Sequence, residues 1–191
     1  MPNLMVVIAS TRPTRVGPAV ARWFVARATE RGSFDVDLVD LAELDLPFMD
    51  EPEHPRFARY VHDHTKRWSA RVAAADAFVF VTPEYNHGYS APLKNAIDFL
   101  HHEWEHKPVG FVSNGGVAAG TRAVQQLKPI VAVLRMTPMS DAVYIPFVHQ
   151  HLDGERQFRP TDELEAAATL LLQALERSEA VLRPLRAAVA R

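Results

Sequence analysis

Three short polar stretches gather most of the side chains and bare backbone able to do chemistry in this 191-residue chain. Residues 10–17, Ser-Thr-Arg-Pro-Thr-Arg-Val-Gly, combine hydroxyls with two arginines just ahead of Pro18, and proline suits the first turn of a helix. An anion at such a helix start meets backbone N–H groups that have no partner, along with the positive end of the helix dipole. Ser10, Thr11, Arg12 and Arg15 would add charge-assisted hydrogen bonds to a phosphate. A solvated turn capping the helix accounts for the same residues. Residues 83–90, Pro-Glu-Tyr-Asn-His-Gly-Tyr-Ser, offer two aromatic faces with a carboxylate and an amide, which suits a planar guest with a hydrogen-bonding edge. The plainer alternative is a loop whose tyrosines pack on a neighbouring subunit. Ser113-Asn114-Gly115-Gly116 is either a tight turn or a place where backbone N–H groups approach a ligand closely.

Those stretches need a scaffold that brings them together, and the hydrophobic pattern supplies one. Residues 4–9 and 77–81 are short apolar runs of the kind buried on both faces of a sheet. Residues 34–41 alternate strictly, as an edge strand with one solvated face does. Further strands are predicted at 107–113 and 142–145. Between them the pattern predicts helices from Pro18 to a stop at Gly32, over 56–75, from Pro92 through Leu100, and over 118–136 with Pro129 as a kink or restart. Loops fall at 47–55 and 147–160. A last helix begins at Asp162, which with Glu165 resembles a capping box, and ends or bends near Pro184, with Leu164, Leu171, Leu175 and Leu182 on one stripe.

Five strands alternating with helices imply an α/β fold: a three-layer, five-stranded parallel sheet in the order 2-1-3-4-5, as one domain over residues 1–191. The three polar stretches then leave the carboxyl ends of strands 1, 3 and 4, where open sheets of this order bind ligands.

Composition narrows the function by exclusion. With 21 Lys and Arg against 23 Asp and Glu, no electrostatic case exists for nucleic acid or an anionic membrane. There is no cysteine, so disulfides, thiolate metal sites and thiol nucleophiles are out. No apolar run reaches the length of a membrane span and no leader is visible, so a cytoplasmic protein is expected. The phosphate-binding patterns GxGxxG and GxxxxGK[ST] are both missing. His102 and His106, and His149 and His151, are close in sequence, but nothing fixes a third ligand, so no metal is expected. His87 lies inside the second stretch, as a contact or a solvated histidine. Arg122, Lys128 and Lys94 are candidates for nucleotide phosphates or members of solvated helix faces. Trp104 reads as core or interface.

The segments STRPTRVGPAVARWF, PEYNHGYSAPLKNAIDFL and SNGGVAAGTRAVQQLKPIVAVLRM resemble, in that order, the NADPH-dependent FMN reductase family of flavodoxin-like proteins. The resemblance covers roughly residues 4–145, and PEYN…LKNAID is its most specific part. It implies a flavodoxin-like fold and a reductase that uses FMN with NADPH or NADH. By it, Ser10, Arg12 and Arg15 would hold the FMN phosphate, with Thr11 and Val16 in the same loop. Pro83, Glu84, Tyr85 and Asn86 would line the isoalloxazine ring, and Ser113, Gly115 and Gly116 its other edge. No protein side chain is expected to act as acid or base, because the flavin carries the redox chemistry. The resemblance further implies ping-pong transfer to a quinone, azo compound, metal ion or free flavin. It also implies a homodimer or homotetramer, with Leu93, Ile97, Leu127 and Val131 as a possible seam. The alternatives are an electron carrier fed by a partner protein, and a flavin-binding sensor or scaffold without turnover. The carrier reading fits poorly with a net charge of −2, since docking carriers tend to be strongly acidic.

Overall fold

The computed structural model describes residues 1–189. Strands β1 (Asn3–Ile8), β2 (Asp35–Asp40), β3 (Ala77–Pro83) and β4 (Pro108–Asn114) are parallel neighbours in the order β2-β1-β3-β4. The fifth position is filled by two short strands in tandem. β5 (Thr137–Pro138) pairs with Pro108 and Val109, and β6 (Val143–Ile145) pairs with Val112 to Asn114. Among the described residues the sheet thus keeps the expected order while counting six strands, because residues 140–142 leave the ladder between the two pieces, after a last bond from the Met139 N–H to the Val109 carbonyl.

Side chains alternate across the sheet with the two-residue period of a strand. Leu4, Val6 and Ile8 face one way with Val79 and Val81. They pack beneath helices α1 (Gly17–Arg31) and α6 (Asp162–Val189) through Val20, Phe24, Leu171 and Leu175. Met5, Val7, Phe78 and Phe80 face the other way. Helices α3 (Asp63–Ala73), α4 (Ala91–Asp98) and α5 (Thr121–Val133) cover them through Trp68, Leu93, Ile97, Leu127 and Val131. Leu93, Ile97, Leu127 and Val131 are therefore core of this chain rather than a seam between subunits: each is no more than 1 % exposed. Trp104 is likewise core, its indole N–H donating to the Ile97 carbonyl. No helix among the described residues is long and apolar enough to cross a membrane.

Several boundaries differ from the sequence pattern for local reasons. A one-turn helix, α2 (Leu41–Leu44), follows β2, its first turn capped by the Asp40 carboxylate. The predicted helix over 56–75 begins only at Asp63. The Glu51 carboxylate accepts the Val61 and His62 N–H groups, and Ala58 sits in the left-handed region after a 3₁₀ turn at Pro55–Phe57. The helix predicted from residue 118 starts at Thr121, because Gly120 is left-handed and its missing side chain lets it lie against Ser113. Neither Pro129 nor Pro184 ends its helix. The capping box at Asp162 is not formed. Thr161 Oγ1 accepts the Leu164 N–H, while Glu165 accepts from the Trp23 indole. Thr161→Ala is therefore expected to cost about 1 kcal/mol and Asp162→Ala less than half of that, read by thermal or urea denaturation.

Candidate functional site

The carboxyl ends of β1, β3 and β4 open onto a cavity of about 340 Å³, within the size range of small-molecule sites. Its wall takes Ser10, Arg12, Arg15 and Val16 from the first loop, and Pro83, Glu84 and Tyr85 from the second. Gly115 and Gly116 come from the third. Nine of the twelve residues singled out from the sequence therefore meet in one place.

The first loop leaves β1 still hydrogen-bonded, the Ala9 N–H donating to the Val81 carbonyl. The hydroxyl of Ser90, at the start of α4, donates to the Ala9 carbonyl at 2.7 Å and fixes the first loop to the second. Among the described residues helix α1 starts with no side-chain cap; Pro18 has no N–H and the Ala19 N–H bonds the Val16 carbonyl, which leaves the Gly17 N–H for a ligand. Among the described residues Ser10 Oγ and Arg15 Nε are buried without a hydrogen-bond partner. A buried polar atom left unpaired costs on the order of 1–3 kcal/mol, so a cavity holding two of them is built for something that pairs them. Gly17 completes the cradle: a Cβ there would stand 2.6 Å from Ser10 Oγ. Arg15 is already half committed, since its terminal nitrogen binds Asp40 in a pair that is 17 % and 11 % exposed. Arg12 is exposed and free to swing over the opening.

In the second loop the Glu84 N–H bonds the Asn114 carbonyl, continuing the β3–β4 ladder past Pro83. The Glu84 carboxylate does not face a ligand. It takes the Arg122 guanidinium at 2.6 Å and the Arg122 N–H at 3.2 Å, which tethers the loop to the start of α5. Tyr85 and Gly88 exchange two backbone bonds across Asn86 and His87, both left-handed, in a tight two-residue turn. Asn86 and His87 thus form the exposed tip of the turn and lie outside the cavity wall, while Tyr89 packs against the core instead of offering a stacking face. Lys94 is paired with Asp98 on its own helix.

In the third loop the roles of two neighbours are exchanged by strand alternation. Ser113 points away from the cavity and its hydroxyl donates to the Ala119 carbonyl, whereas Asn114 lines the wall. A Cβ on Gly116 would meet nothing within 4 Å, so that backbone is open to close approach. Gly115 and Gly116 accept from the Val148 and Phe147 N–H groups, and this brings Phe147, Val148, His149 and Gln150 to the rim. The sequence pattern leaves these four in a polar loop. Their position just after a strand ending on the same rim was the signal that could have found them. Behind them the Asp153 carboxyl is held below the ordinary carboxylate range, chiefly by the Gln157 N–H, and Arg156 reaches the Thr14 carbonyl across the first loop. Thr11 turns from this cavity to line a neighbouring one of about 530 Å³ with Phe48, Pro92 and Asn95.

A parallel sheet in this order, with an uncapped helix start and two polar loops around one cavity at its carboxyl rim, defines a flavodoxin-like protein. Comparison with known proteins gives the family. The family model of NADPH-dependent FMN reductases matches residues 2–150. An NAD(P)H-dependent FMN reductase of Schizosaccharomyces pombe is 42 % identical over 149 residues, covering 76 % of this chain and 74 % of the relative. One of Saccharomyces cerevisiae is 38 % identical over 154 residues, covering 74 % and 80 %. Among solved structures, the flavoenzyme NAD(P)H:acceptor oxidoreductase FerB of Paracoccus denitrificans superposes with a TM-score of 0.74 at 21 % identity, covering 93 % of this chain and 99 % of FerB. The chain belongs to the NADPH-dependent FMN reductase family, and so is an oxidoreductase with FMN and NAD(P)H as cofactors.

Proposed function

We propose that this chain holds one FMN in the cavity of about 340 Å³ and passes electrons from NAD(P)H to a small-molecule acceptor: a quinone, azo compound, metal ion or free flavin. The observation that carries the reading is the pairing of an uncapped α1 with buried, unpartnered Ser10 Oγ and Arg15 Nε in one wall, a donor set that fits a phosphate. Ser10, Arg12 and Arg15 would hold that phosphate, with Thr11 and Val16 shaping the loop. Pro83 and the backbone of Glu84 and Tyr85 would flank the ring on one side, and Asn114, Gly115 and Gly116 on the other. The bound flavin would supply the redox chemistry; the chain supplies binding and orientation, and the Gly116 N–H, unlike those of Glu84, Tyr85 and Gly115, makes no bond to the described residues and is left for the ring. Asn86 and Ser113 act at one remove in this scheme, by shaping the turns that present their neighbours.

The azoreductase of Staphylococcus haemolyticus, 30 % identical over 131 residues, supports azo compounds among the acceptors. Nicotinamide and acceptor take turns in the same pocket, which predicts ping-pong kinetics. The whole chain works as a single flavin-binding domain in the cytoplasm, as a homodimer or homotetramer. Exposed Phe48, Met49 and Phe57 supply apolar surface for association in place of the buried residues on α4 and α5.

The purified protein is expected to be yellow and to bleach when NADPH is added without air. Initial rates against both substrates should give parallel double-reciprocal lines. Yellow protein that NADPH does not bleach would instead indicate an electron carrier, and colourless protein that takes up no added FMN would indicate a scaffold. Lines that intersect would overturn the alternation of substrates.

A further inference from the structure

At the end of the sheet opposite the cavity, α4 is joined to β4 by a turn containing His101, His102 and Glu105. The turn is anchored by Trp104, which is 1 % exposed. Potential ligand atoms of His101, His102 and Glu105 all lie within 4.8 Å of one another. The surroundings of His102 are chemically unusual. Its Nε2 is 2.7 Å from the Arg56 carbonyl oxygen, which only accepts, so Nε2 carries a hydrogen. Its Nδ1 is 3.0 Å from Glu105 Oε1, and an ionised carboxylate also only accepts. A neutral ring would set two lone pairs against each other there, a clash that either a proton on Nδ1 or a bound cation relieves.

We propose that His101, His102 and Glu105 form a binding site for a first-row divalent transition-metal ion, with water completing its coordination. The donor set is two imidazoles and a carboxylate, which suits zinc and its neighbours. Bonds of about 2.0–2.1 Å in a tetrahedron put ligand atoms about 3.3 Å apart, close to the spacing of His102 Nδ1 and Glu105 Oε1. Ring rotation at His101 brings in the third donor. The Arg56 carbonyl supplies the partner that metal-bound histidines generally have on the far ring nitrogen. Arg135 approaches Glu105 through the other oxygen, Oε2, at 3.5 Å, leaving Oε1 to the ion. His106, paired with His102 by sequence spacing, is not part of this cluster. The ion would clamp the α4–β4 turn to the segment around Arg56, a structural role independent of the flavin reading.

The test is calorimetric titration of zinc chloride into the FMN-loaded full chain, first stripped with a chelator and dialysed. One equivalent is expected to bind per chain and to raise the melting temperature by about 5 °C when saturating. His102→Ala and Glu105→Gln are each expected to weaken binding about tenfold or more and to abolish the thermal shift, while flavin retention is unchanged. Should Glu105→Gln not fold, half-exposed His102 and then His101→Ala carry the test. His64→Ala disrupts a second histidine pair that faces a carboxylate, His62 and His64 beside Asp50, and is expected to leave zinc binding intact. Absence of a binding heat would show that His102 and Glu105 simply share an imidazolium ion pair and would overturn the proposal. So would zinc binding that survives His102→Ala or vanishes in His64→Ala.

Discussion

Replacing Arg15 by alanine is expected to lower folding stability by about 3 kcal/mol, while replacing Arg12 leaves it within about 0.5 kcal/mol of the unmodified chain. The two arginines look equivalent in the sequence, and the fold separates them. Arg15 and Asp40 bridge the first loop to the end of the edge strand, and the carboxylate is only 11 % exposed. Removing the guanidinium leaves that carboxylate with the Ala42 N–H alone, and a buried charge robbed of its partner costs far more than the pair contributes. The double variant Arg15→Ala/Asp40→Ala should regain much of the loss, because no charge is then stranded. Arg12 carries no such structural duty. Its loss should appear in cofactor retention, with FMN bound about 10- to 100-fold more weakly, the worth of one charge-assisted bond. Urea melts of the stripped protein alongside fluorescence titration with FMN separate the two effects. Equal stability of the two single variants would show that the Arg15–Asp40 pair does not hold the loop.

Lys107 is expected to make the protein more stable as pH rises from about 8 to 10.5, against the usual trend. Burial pushes its ammonium down from 10.5 to about 8, and nearby Arg186 acts in the same direction while Asp76 and Glu103 oppose it. Within that window the unfolded lysine holds a proton that the folded one has released, so stability increases with pH. Below pH 8 both states are charged and the folded state bears the full penalty of burial; above 10.5 both are neutral and that penalty is gone. The difference across the window is roughly 3 kcal/mol. Deprotonation does not undo the local structure. Lys107 Nζ donates to the Val72 and Ala73 carbonyls at the end of α3, and a neutral amine still has two hydrogens for them. Comparing urea midpoints of the unmodified chain and Lys107→Met at pH 7, 9 and 10.5 isolates the effect. A difference between the two that does not change with pH would mean that Lys107 titrates as an exposed lysine.

The strand order and the meeting of three loops were legible because they rest on period and topology. The apolar runs at β1 and β3 mark the central strands, and the strict alternation from Phe34 marks the edge. What composition does not encode is which way a side chain turns at a strand end. Ser113 and Asn114 are adjacent and both polar, and only the register of β4 decides which one lines the cavity. Glu84 has the chemistry of a ligand contact, but Arg122, 38 residues away in sequence, takes its carboxylate. The helix assigned too early at residue 56 failed for a similar reason, since Glu51 captures the Val61 and His62 N–H groups before a helix can begin. Long-range side-chain pairs such as these are settled by folding and leave no local signature.

The broken outer border beside β4 has a consequence for assembly. A two-residue and a three-residue strand, parted at residues 140–142, present no continuous ladder of vacant N–H and C=O groups to another molecule. That border offers a neighbouring strand little to pair with. The opposite border, β2, is unbroken over six residues but carries Asp35, Asp37 and Asp40, and like charges there discourage a second copy from adding a strand to it.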